Sequence, residues 1–259
     1  MKLRDVVQQT LCPSGQALGD DGQCACSPPW MAGDNCEMYY EDCSAAFAAG
    51  LTVPGHIEVI QIKPLNVIAP FFAKCYLADG GYTYIEERNP SCDTDFMNRQ
   101  YDDYDIGFGD VGGCSSFLGL NKIEKILKSE SYNLDVEIVG DGFSGHAYYS
   151  KFFLKGSSDK YEVSWDVFSS DGLEDGFVYG DNRNLLGARF GAAGNPDAAW
   201  CAESQGTGWW YGNDCNYVNL HLPLNTTATQ LSTAGSASWP VGGVLKNVYS
   251  VNMKVVKGT

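Results

Sequence analysis

The chain has 259 residues, 44% of them hydrophobic and 19% charged, which is enough to bury a core and unlike a disordered segment. Seventeen Lys and Arg against 32 Asp and Glu leave a net charge of −15, which argues against nucleic acid, heparin-like polymers and anionic membrane surfaces as partners. No apolar run reaches the roughly 18 residues that span a bilayer, so membrane insertion is not expected.

Taken in chain order, residues 1–11 form a tail without the apolar stretch of a signal peptide. They read as the start of a mature or recombinant form whose signal has been removed. Residues 12–37 carry four Cys among Gly, Asp and Pro, with almost no aliphatic core. So small a segment needs cross-links to fold. The composition shifts at about residues 37–42, and a second domain is expected over 42–256. There, Ile57–Ile62, Phe71–Leu77 and Tyr82–Ile85 have strand composition, with Gly80-Gly81 as a turn. Tyr101–Asp105 holds three Asp and reads as a solvated loop. Ile123, Ile126 and Leu127 fall at helical spacing, which predicts a helix over Asn121–Glu130. Tyr132–Val139, His146–Leu154 and Tyr161–Phe168 follow as an antiparallel meander separated by turn-rich segments. Beyond Ser169 the chain is rich in Gly, Asn, Asp and Ser until a last strand at Tyr249–Val256. The fold class is therefore α+β, with a central antiparallel sheet, short helices and a loop-rich C-terminal lobe.

The ten Cys are even in number and lack zinc-site spacing, and three His (His56, His146, His221) are scattered among them. Five disulfides in an oxidising, extracellular compartment are the natural reading. Asn225-Thr226-Thr227 is a glycosylation sequon, consistent with secretion. No His lies in a Ser/Asp or Cys arrangement suited to nucleophilic catalysis, so no enzyme is expected.

Gly208–Leu220, GWWYGNDCNYVNL, resembles the G-x-W-W-Y…C-H-x-S-N-L pattern of the fibrinogen C-terminal domain family. Other segments fall in the same order: Asp42-Cys43, Lys74-Cys75-Tyr76 with Gly80-Gly81-Tyr82-Thr83, and the GFGDVGG and FLGLNKI stretches within Tyr101–Ile123. So do Tyr161, Trp200-Cys201-Ala202, Tyr249-Ser250 and Met253-Lys254. The resemblance covers about residues 42–256 and implies disulfides Cys43–Cys75 and Cys201–Cys215. Residues 24–36 resemble the second half of an EGF-like module, which implies Cys26–Cys36 and leaves Cys12–Cys24 and Cys92–Cys114.

The family's ligand face implies a pocket from Trp209, Trp210, Tyr211, Cys215, Asn216, Tyr217 and Asn219. Aromatic walls with polar tips suit a sugar or acetyl group, although the Trp pair also reads as core. Two departures point to a different ligand preference. Asn216 stands where the family often has His, and Val218 where it has Ser. The family's calcium motif is reduced here to Asn195 and Asp197 around Pro196, a short donor set for Ca²⁺ and also a turn sequence. The resemblance implies a secreted, non-enzymatic recognition protein that binds a glycan or glycoprotein, with a role in innate recognition. The alternative is a ligand or adhesion component that binds a protein receptor. No coiled-coil or G-X-Y oligomerisation stem precedes residue 12.

Overall fold

The computed structural model describes residues 12, 16–18, 24–27, 30–32, 35–65, 67–92, 95–179, 184–195, 199–212, 215, 218–224 and 235–258. Its centre is an antiparallel sheet built from β1 (Ile57–Ile62), β2 (Phe71–Tyr76), β3 (Tyr82–Arg88), β4 (Tyr132–Gly140), β5 (Phe143–Leu154) and β6 (Val244–Lys257). The order across the sheet is β5-β4-β6-β3-β2-β1, so the last strand of the chain lies in the middle. Register fixes the faces, because side chains alternate along each strand. On β4, Tyr132, Leu134, Val136 and Ile138 are all at most 1% exposed and point into the core. Asn133, Asp135, Glu137 and Val139 point the other way. Each fully buried aliphatic on that inner face contributes about 1.5–3 kcal/mol.

Four helices are described: α1 (Cys43–Ala48), α2 (Tyr101–Ile106), α3 (Leu120–Leu127) and α4 (Ala199–Gln205). α3 buries Leu120, Ile123, Ile126 and Leu127 on one side, as its apolar spacing requires. Asp42 caps α1 by accepting from Ala45 N at 2.6 Å. Its other oxygen accepts the Tyr132 hydroxyl of β4, so one buried carboxylate ties the helix start to the sheet.

Two expectations need correcting. Tyr101–Asp105 is helical rather than a loop. Asp102 and Asp103 lie in the first turn, where carboxylates meet the positive end of the helix dipole, and Asp103 Oδ2 accepts from Gln100 N at 2.9 Å. Tyr161–Phe168 is not one strand. Lys160 and Tyr161 adopt left-handed φ values of 56° and 51°, and pairing resumes only over Val163–Ser164 and Phe168–Ser170. The hairpin between β4 and β5 is tighter than expected, turning on Asp141-Gly142 with Gly142 at φ 72°.

All ten Cys are paired: Cys12–Cys24, Cys26–Cys36, Cys43–Cys75, Cys92–Cys114 and Cys201–Cys215. The N-terminal pairs accompany two short ladders, Gln16–Leu18 with Cys24–Cys26 and Met31–Ala32 with Met38–Tyr39.

Candidate functional site

Trp209–Tyr211 forms a short strand against Arg189–Gly191. All three aromatic residues are buried: Trp209 at 0%, Trp210 at 3% and Tyr211 at 8% exposure. Trp210 Nε1 donates to the Tyr161 carbonyl at 2.8 Å. The Tyr211 hydroxyl donates to Thr207 O at 2.7 Å, and burial raises its pKa to about 12. Asn219 is also buried. Its Nδ2 donates toward Gln205 Oε1 at 3.0 Å and Thr207 Oγ1 at 2.9 Å, while its Oδ1 accepts from His221 N at 3.0 Å. Cys215 is buried, and its carbonyl accepts from Gln205 Nε2. These side chains meet one another and the core; the polar atoms of Trp210, Tyr211 and Asn219 are engaged, whereas Trp209 Nε1 is buried without a hydrogen-bond partner among the described residues. Asn216 and Tyr217 lie outside the described residues, as does the sequon residue Asn225.

Asp197 also lies outside the described residues. Asn195 is buried, and its Oδ1 accepts from Lys160 Nζ at 3.4 Å. An ammonium beside the one described donor oxygen of the pair is a poor neighbour for a divalent cation. Among the described residues, no group of three or more His, Cys, Asp or Glu is placed to hold a metal ion.

A network that no motif announced lies beneath the Trp pair. His221 is fully buried, with Nε2 at 2.9 Å from Glu86 Oε2 and Nδ1 at 2.6 Å from the Gly208 carbonyl. Its ring stacks on Tyr104 at 5.3 Å and meets Trp209 edge-on at 4.8 Å. Arg88 donates to the carbonyls of Leu220 and Leu222 and lies 4.3 Å over the Phe96 ring. These contacts bolt the C-terminal lobe onto β3 and serve structure.

Among the described residues, an open concavity lies on the outer face of the central sheet. It encloses about 420 Å³ and is lined by Tyr76, Tyr82, Tyr84, Tyr148, His146, Ile57, Asp79, Asp135, Glu137 and Lys254. A second hollow of about 200 Å³ shares Tyr82, Asp135 and Tyr148 with it. Strand alternation creates this groove: the outward residues of β2, β3, β6, β4 and β5 meet on one surface. Lys254 forms its floor, 2.8 Å from Glu137 and 3.3 Å from Asp135, beneath the rings of Tyr82 and Tyr84. Burial works against both charges. The Glu137 hydrogen bond and the Asp135 charge nevertheless hold the Lys254 pKa above its usual value, and Lys254 holds that of Glu137 below its own. His146 stacks on Tyr148 with centroids 5.7 Å apart, and its Nδ1 lies 2.8 Å from Asp135. Tyrosine rings present large rigid surfaces with little entropy to lose, the usual chemistry of protein-recognition surfaces.

The family profile described as fibrinogen beta and gamma chains, C-terminal globular domain, matches residues 39–256. The chain belongs to this family. Fibrinogen-like protein 1 of Rattus norvegicus is 27% identical over 197 residues, covering 71% of this chain and 61% of that protein. Human angiopoietin-4 is 26% identical over 201 residues, covering 75% of this chain and 38% of its own length. This fibrinogen C-terminal domain therefore spans about three fifths of the rat relative and less of angiopoietin-4. The fibrinogen-like globe domain of human ANGPTL2 superposes with a TM-score of 0.70 at 22% identity, covering 85% of this chain and all of that one. A lamprey fibrin D-dimer complexed with the peptide Gly-His-Arg-Pro-amide gives 0.67 at 22% identity, over 84% of this chain and 73% of that one. The fibrinogen-like chain is non-enzymatic. None of its described helices is long and apolar enough to cross a membrane.

Proposed function

We propose that this fibrinogen-like domain is a secreted ligand that recognises a protein partner. The observation that carries the reading is the contrast between its two aromatic regions. The Trp209–Tyr211 wall is sealed in the core, whereas the tyrosines of the sheet groove are half-exposed around an open cavity. The similarity to angiopoietin-4 and to a fibrin fragment crystallised with a peptide supports a protein partner over a glycan. Ten paired cysteines support export to an oxidising compartment. The two N-terminal disulfides support an EGF-like reading of residues 12–37.

The test is capture of a cell-surface protein by the immobilised chain, before and after enzymatic deglycosylation of the cells. The expected result is one specific protein retained in both conditions. Capture that disappears with the glycans, together with selective binding on a glycan array, overturns the reading in favour of a lectin.

A further inference from the structure

We propose that the tyrosine groove on the outer sheet face takes an extended, basic peptide segment of the partner, with two Arg or Lys side chains about five or six residues apart. The proposal rests on the protein-recognition reading above and adds the chemistry of the segment bound.

Charge selects the sign. The groove lining holds three carboxylates, Asp79, Asp135 and Glu137, against one ammonium, Lys254. Lys254 is already matched by two of them, which leaves the groove acidic within a chain of net charge −15. That acidity draws a cationic segment inward and opposes a second copy of the chain as the occupant.

Geometry selects the spacing. A tyrosine hydroxyl stands beside an exposed carboxylate at each end: Tyr76 with Asp79 at 3.5 Å, and Tyr148 with Asp171 at 3.1 Å. Tyr76 lies on β2 and Tyr148 on β5, four strand-to-strand steps apart across β3, β6 and β4. Four steps of about 4.8 Å make about 19 Å, the reach of five or six extended residues. Between the ends, Tyr82 and Tyr84 flank the neutralised Lys254 floor and offer ring surface to the aliphatic and guanidinium parts of the segment.

The experiment uses the probe acetyl-Arg-Gly-Ser-Gly-Ser-Arg-amide, its Glu counterpart, and acetyl-Arg-Arg-amide as the short-spaced control. Binding to the full chain is followed by calorimetry at two salt concentrations. The expected result is salt-sensitive binding of the long Arg probe, at least tenfold tighter than either control. It weakens at least tenfold in Asp79→Asn/Asp171→Asn and in Tyr148→Ala, each shown to be folded by circular dichroism. Tyr148→Phe tests the hydroxyl alone, and Asp102→Asn, an exposed acid on α2 outside the groove, leaves binding unchanged. Equal binding by wild type and the groove variants overturns the proposal. So does an equal loss in Asp102→Asn, which marks diffuse attraction, or displacement of the probe by a neutral oligosaccharide. If the probe does not bind while a protein is still captured from deglycosylated cells, the groove proposal fails and the protein-recognition reading stands.

Discussion

His221 Nε2 lies 2.9 Å from Glu86 Oε2, joining the C-terminal lobe to strand β3 across 135 residues of sequence, with both side chains sealed from solvent. Removing one partner leaves the other buried without its hydrogen bond, which is costly. His221→Leu and Glu86→Leu are each expected to lower stability by about 1–3 kcal/mol. Replacing both by Leu is expected to cost less than the sum of the single losses, because apolar pairs of similar volume avoid the desolvation penalty. Urea denaturation of the four members of the cycle checks this, and additive losses would show that the pair does not act as a unit.

Gly107 and Gly119 lie back to back at the junction of α2 and α3, with φ of 97° and 105°. A Cβ on Gly107 would sit 2.3 Å from Leu118 O, and one on Gly119 would sit 2.4 Å from Ile106 O. The clash is with backbone, which cannot swing away, and the positive φ adds strain of its own. Gly107→Ala is expected to cost more than about 2 kcal/mol. Gly142→Ala, where no atom lies within 4 Å, is expected to pay only the φ penalty. Thermal melting of the two variants distinguishes them, and equal losses would contradict the packing argument.

Several tyrosines are neutral and buried, and this sets the alkaline limit of the fold. Burial raises the pKa of Tyr101 and Tyr211 from 10.0 to about 12, and it raises those of Tyr104 and Tyr149 further. A tyrosine raised in this way contributes stability that is complete below the unfolded value of 10.0. The contribution is lost as pH climbs toward the folded value, because the unfolded chain ionises first. Stability should therefore fall between pH 10 and 12. Ultraviolet absorbance should show part of the 15 Tyr ionising only together with the loss of circular dichroism. Full tyrosine ionisation in a chain that stays folded would refute this.

The sheet was largely legible because Val, Ile, Tyr and Phe alternate along Ile57–Ile62, Tyr132–Val139 and His146–Leu154. α1 was not visible, because six residues are too few to show a period, and Asp42, which caps it by accepting from Ala45 N, is itself tied to distant Tyr132. α2 was masked by its own acids, which read as solvated although two of them support the first turn. The family resemblance located the Trp209–Asn219 segment but did not say which way it faces. Burial turned its rings inward, against His221, Phe190 and the Tyr161 carbonyl. The groove was invisible for a different reason. Its residues come from separate strands at alternating positions, so each looks like the polar face of an ordinary strand, and only the sheet order gathers them.

Hydroxyl-radical footprinting of the chain, with and without its captured protein partner, tests most directly where recognition occurs. Tyr76, Tyr82, Tyr84 and Tyr148 report on the groove, and Trp200, 72% exposed on α4, reports on the C-terminal lobe. The account predicts that the four tyrosines lose reactivity on binding while Trp200 keeps its own. Protection of Trp200 with the groove tyrosines still fully reactive would contradict it.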